Sequence, residues 1–183
     1  MATTHDALSY GRTAKTFHWT IALLIALMFV LGWTMDAEQR HSSHITAVDF
    51  HMTFGVIIMA FVVLRYVWRR KNPPPPLPAH MSRPERLAAE LGHAALYLLT
   101  FAIPAAGLIM VVVEGEAVLF FGLIDLDSEG QRSEEAAEIF ADLHKWLGWA
   151  LLAVLAGHVG AALRHHFLLR DDVLRRMLPS ASP

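Results

Sequence analysis

Leu143-His144-Lys145-Trp146-Leu147-Gly148-Trp149-Ala150-Leu151-Leu152-Ala153-Val154-Leu155-Ala156-Gly157-His158-Val159-Gly160-Ala161-Ala162-Leu163 is the stretch that decides the fold. From Trp146 to Leu163 it carries no charge, and a hydrocarbon core of ~30 Å is crossed by about 20 apolar residues in a helix. Read as a helix, the stretch sets His144 and His158 about 21 Å apart along the axis and only about 40° apart around it. Two imidazoles on one face near opposite membrane surfaces are costly in lipid and mark function rather than filler.

Working outward, two further uncharged runs meet the same length, Thr16 to Met35 and Leu91 to Val113. A shorter one, Phe50 to Leu64, becomes sufficient if Arg65 snorkels to the headgroups and Tyr66, Val67 and Trp68 supply the interfacial end. The whole chain has 183 residues, 55% of them hydrophobic and 17% charged, where soluble domains carry about 25% charge. The expected fold is therefore all-α, an integral membrane four-helix bundle in one transmembrane domain over residues 1–183, with spans at about 13–35, 45–70, 84–113 and 135–170. Arg12 and Lys15 ahead of the first run imitate a secretion signal, but the run is too long and ends without a small-residue cleavage site, so it reads as an uncleaved span. The prolines in Lys71-Asn72-Pro73-Pro74-Pro75-Pro76-Leu77-Pro78 lack amide donors and fix φ, which makes a stiff loop between spans two and three. Pro84 suits the first turn of the third span, and Pro104 is expected to kink it.

Twelve of the fifteen Lys and Arg residues fall on the side of the N-terminus, and only Arg40, Arg132 and Lys145 on the other. The bias places both termini in the cytoplasm of a multi-pass inner-membrane protein. The apolar stretch Ala117 to Leu126 within the longest outer loop is expected to lie across the mouth of the bundle. A net charge of −2 gives no sign of a nucleic-acid partner, and the absence of cysteine excludes disulfides, thiolate metal sites and iron–sulfur clusters.

Depth sorts the histidines. His18 opens span one from the inside, His51 opens span two from the outside, and span four passes His144 and then His158, so the axial pairs are His18 with His158 and His51 with His144. A neutral imidazole ligates haem iron readily, and two tiers of such pairs suggest two stacked haems and transmembrane electron transfer. Gly55, Gly148, Gly157 and Gly160 lie near these histidines; they either admit a flat macrocycle or simply let helices pack closely. His93 either contributes to a quinone pocket or a haem propionate, or packs at the interface. His41 and His44 are too few ligands for a metal site, and His5, His80, His165 and His166 read as solvated. Arg12, Lys15, Arg65 and Arg164 fit the inward charge bias, whereas Lys145 beside His144 does not, which singles it out as an outer cation. The five tryptophans read as interfacial anchors.

Across Thr16-Phe17-His18-Trp19, Asp49-Phe50-His51-Met52-Thr53-Phe54-Gly55, Leu91-Gly92-His93-Ala94-Ala95-Leu96-Tyr97-Leu98-Leu99, Leu143-His144-Lys145 and Gly157-His158-Val159-Gly160-Ala161-Ala162-Leu163, the chain resembles the bacterial cytochrome b561 family. The resemblance implies two b-type haems held by His18, His51, His144 and His158, electron exchange with ubiquinone, and similarity to a member that oxidises superoxide; Lys145, singled out by its outward charge beside His144, is the candidate to attract the anion. Asp142 stands where that pattern would lead one to expect a cation. The alternative is an electron-relay or anchor subunit for a dehydrogenase, a hydrogenase or a periplasmic redox carrier.

Overall fold

The computed structural model describes residues 9–35, 46–115, 118–120, 124–126 and 132–178. His5, His41 and His44 lie outside them. Four helices, α1 (Arg12–Thr34), α2 (Ala47–Lys71), α3 (Arg83–Glu114) and α4 (Glu134–Arg164), are each long and apolar enough to cross a membrane.

Local chemistry sets their ends. At α2, Asp49 Oδ2 accepts from the backbone N–H of Thr46 at 2.7 Å and from its hydroxyl at 2.9 Å. The reciprocal box at α3 joins Ser82 to Glu85, whose carboxylate accepts from the Ser82 N–H at 3.0 Å. Gly115, at φ 71°, closes α3 in the left-handed region where a side chain would be strained. Ser133 caps α4, with Glu134 and Glu135 favourably placed at the positive end of its dipole. The helix bounds fall within a few residues of those expected, save that regular α-helix in α4 stops at Arg164 and gives way to a π-helical turn, His165–Leu169.

Between α3 and α4, β1 (Val118–Phe120) pairs antiparallel with β2 (Ile124–Leu126), with β1 against α2 and α3. This small hairpin marks one end of the bundle; the termini mark the other.

α3 packs along α4, α1 along α2, and α2 along α3, but among the described residues no Cα of α1 or α2 comes within 8 Å of α4. The gap is bridged by side chains. Ile21 and Ile25 of α1, Ile58 and Val62 of α2, Leu99 of α3 and Leu151 of α4 form an apolar layer at mid-height. Leu151 lies seven residues from both His144 and His158, about 10 Å from each along the axis. Outward-facing apolar residues such as Leu23 and Leu98 are exposed, as lipid contact requires.

At the termini end, the segment after α4 folds back over the start of α1. Lys15 Nζ donates to the Leu178 carbonyl at 2.8 Å, Trp19 Nε1 to Met177 at 2.9 Å, and Tyr10 N–H to Arg176 at 3.3 Å. Trp19 is thus engaged by the tail rather than serving only as an interfacial anchor. Arg176 in turn donates to Pro76 at 2.9 Å, and Arg86 donates to the carbonyls of Pro78, Ala79 and Met81, which ties down the proline-rich loop.

Candidate functional site

At the hairpin end, His51 of α2 faces His144 of α4 with ring centroids 5.9 Å apart and planes at 61°. His144 Nδ1 lies 2.8 Å from the Ile103 carbonyl of α3. A carbonyl only accepts, so the proton sits on Nδ1 and the Nε2 lone pair is left available. Gly107 makes the approach feasible: a Cβ there would stand 3.0 Å from His144 Nδ1 and 3.1 Å from Cε1. On the other side Gly32 of α1 lies under His51, where a Cβ would meet Cε1 at 3.5 Å. His51 Nδ1 is buried with no hydrogen-bond partner.

These residues line a cavity of about 700 Å³ that also reaches Gly55, Gly148 and Lys145, within the ~300–1,000 Å³ usual for cofactor pockets. Lys145 is exposed at its edge, and Asp142 is exposed one turn away on the same helix.

At the termini end, His18 of α1 faces His158 of α4 at 6.3 Å with planes at 59°. His93 of α3 lies 5.5 Å from His158, so a third imidazole shares this level. Arg65 Nη2 is 3.3 Å from His18 Nδ1. Its guanidinium also lies 5.5 Å from the centre of the Tyr97 ring, with that of Arg69 at 5.8 Å. Arg65, Trp68, Arg69, Tyr97 and the prolines 73–75 border a second cavity of about 460 Å³, in which the Tyr97 hydroxyl belongs to the buried groups without a hydrogen-bond partner. Of the cations expected at this level, Lys15 serves the tail and Arg164 pairs with Glu85 at 3.0 Å.

The structure corrects two readings. His165 is not solvated: it is 5% exposed and hydrogen-bonded to Asp171, because it lies two turns beyond His158 on the same inward face of the helix; His166 is half-buried as well, its Nδ1 out of reach of solvent. Among the glycines, Gly148, Gly157 and Gly160 have open space where a Cβ would stand, as a flat macrocycle would need, Gly55 packs against Pro104 and Met28, and Gly107 is the one pressed tightly against a histidine.

Four spans with imidazoles paired across the bundle at two depths define a class, the multi-pass membrane cytochromes. The family model described as prokaryotic cytochrome b561 matches residues 9–180. The chain belongs to that family, which carries electrons within membranes and binds haem b. It is 36% identical to cytochrome b561 homolog 2 of Escherichia coli (strain K12) over the whole chain and 97% of that protein. It is 29% identical to the probable superoxide oxidase CybB of Yersinia pestis, over 88% of this chain and 91% of the other. Cytochrome b561 homolog 1 of Escherichia coli (strain K12) is 23% identical over 93% of this chain and 97% of its own length.

Proposed function

We propose that this single transmembrane domain is a two-haem superoxide:ubiquinone oxidoreductase of the inner membrane, with both termini cytoplasmic. The observation that carries the reading is the pair of imidazole clamps, His51 with His144 and His18 with His158, at opposite ends of one bundle. Two imidazoles that held one metal ion between them through bonds of about 2.0–2.1 Å would have ring centres roughly 6.3 Å apart. The spacings of 5.9 and 6.3 Å suit that requirement.

His51 with His144 and His18 with His158 would hold the haem, which would supply reversible one-electron chemistry there. The protein's part is orientation and charge. Ile103 fixes the His144 tautomer, which aligns the ring and raises its basicity as a ligand. Arg65 can only donate, and it stands 3.3 Å from His18 Nδ1; were His18 to hold iron through Nε2, its Nδ1 would carry the proton and the guanidinium would be left for an anionic acceptor. His93 packs against His158 and holds that ring from the α3 side.

Lys145, at the rim of the hairpin-end cavity, draws superoxide toward His144. Each superoxide that gives up one electron leaves as dioxygen; two such electrons with two protons convert ubiquinone to ubiquinol. The cavity between Arg65, Arg69 and Tyr97 is where the quinone is received, its carbonyl oxygens being acceptors for those donors. The name carried by the Yersinia pestis relative supports superoxide as donor, and the Lys and Arg bias supports the orientation.

The test is a haem count and a reduced-minus-oxidised spectrum on purified protein, followed by quinone reduction driven by enzymatically generated superoxide. Two haems per chain and superoxide-dependent ubiquinol formation by this protein alone are expected. One haem per chain refutes the clamps, and quinone reduction that requires a second protein makes the chain a relay subunit.

A further inference from the structure

Beyond His158, α4 does something that a plain membrane helix has no need to do. It widens into the π-helical turn His165–Leu169, after which Arg170 takes φ 54°, the one non-glycine left-handed residue among those described. Such turns recur at functional sites. Here the two irregularities fold Asp171 back onto the turn, so that its Oδ2 lies 2.5 Å from His165 Nδ1. His80, from the loop that leads to α3, reaches the same oxygen with Nε2 at 3.1 Å. The three donor atoms lie within 4.8 Å of one another.

The surroundings grade from rigid to open. The side chains of His165 and Asp171 are 6% and 11% exposed, and that of His80 is 57% exposed. Asp171 Oδ1 is held separately by the Val173 N–H at 3.0 Å, which fixes the carboxylate's orientation.

We propose that His80, His165 and Asp171 form a divalent transition-metal site, best suited to zinc, separate from the imidazole clamps. Two imidazoles and a carboxylate are an intermediate ligand set that favours zinc over magnesium or calcium, which take oxygen donors. Bonds of about 2.0–2.2 Å to a tetrahedral ion put ligand atoms roughly 3.3–3.5 Å apart. His80 and Asp171 are already close to that separation, and His165 and Asp171 reach it by opening about 0.9 Å. Three protein ligands leave the fourth position to water, and the exposed His80 is the way in. Filled, the site fastens the loop that follows the proline-rich segment to the end of α4.

The competing account is a carboxylate merely shared by two imidazole hydrogen bonds. To separate them, the haem-loaded protein, freed of affinity histidines and washed with chelator, is titrated with zinc sulfate against a chromophoric competitor, then dialysed and assayed for zinc and iron in the same sample. One zinc per chain is expected beyond the haem iron, with millimolar magnesium and calcium failing to displace it. His80→Ala and Asp171→Asn should each weaken binding by at least about tenfold. Because His80 is exposed on a loop, His80→Ala keeps the haem spectrum, which reports folding. Zinc binding that His80→Ala leaves unchanged, or no retained zinc in the unmodified protein, overturns the proposal. The iron count tests the haem reading independently.

Discussion

Gly107→Ala should weaken haem binding at the hairpin-end clamp while leaving the helix sound. The added methyl would stand 3.0 Å from His144 Nδ1, and ordinary contact begins at 3.4 Å, so the ring must retreat by about 0.4 Å. That movement lengthens the 2.8 Å bond to Ile103, one turn earlier on the same helix. The bond is worth about 1 kcal/mol, and losing a group that orients a metal-bound histidine typically costs about 10–100-fold in affinity. Against this, alanine favours the helix by up to about 1 kcal/mol over glycine, so the bundle itself should not weaken. Haemin titration of purified apoprotein, read by the Soret band and by haem per chain, should show one site unchanged and one weakened by roughly 10–100-fold. Gly32→Ala is the matched comparison: its methyl would meet His51 at 3.5 Å, an ordinary contact, and both sites should fill. A Gly107→Ala protein that binds two haems as tightly as the parent refutes the reasoning, as does equal damage from Gly32→Ala.

His158→Ala should leave one haem per chain, with the hairpin-end spectrum retained; two haems in the variant would break the pairing. Lys145→Glu should slow oxidation of superoxide several-fold at low ionic strength, an effect that salt erases, and should leave reduction by a neutral dye unchanged. Equal slowing of both reactions would rule out electrostatic attraction. Arg65→Met should raise the KM for ubiquinone while superoxide still reduces the protein at the parental rate; an unchanged KM would remove the quinone from the arginine cavity.

The four spans and the pairing of histidine rings were legible in the sequence because both rest on helical arithmetic. Membrane length fixes where a span begins and ends, and fourteen residues on one helix fix a depth and a face. Contacts between helices obey no such rule. Nothing in the sequence around Gly107 announces that the His144 ring will press on it from another helix, and the glycines beside the histidines in sequence, Gly148 and Gly157, turned out not to be the ones in contact. His165 was misread for a different reason: α-helical register already sets it on the face of His158, seven residues earlier, but nothing past the end of the apolar run announces that Asp171 will fold back onto it. Burial opposes charge on Asp171, but hydrogen bonds from His165, the Val173 N–H and His80 outweigh it and hold the carboxyl below its ordinary range.

The stitching of the tail to the first span has a consequence for biogenesis. Lys15 and Trp19 find their carbonyls 163 and 158 residues later in the chain, a delay of about 8–30 s at ribosomal speeds of about 5–20 residues per second. Insertion of the first span therefore precedes its latch by many seconds. A chain cut short just before Arg176 should enter the bilayer normally yet stay sensitive to proteases at its amino-terminal end, which limited digestion of membrane vesicles would reveal.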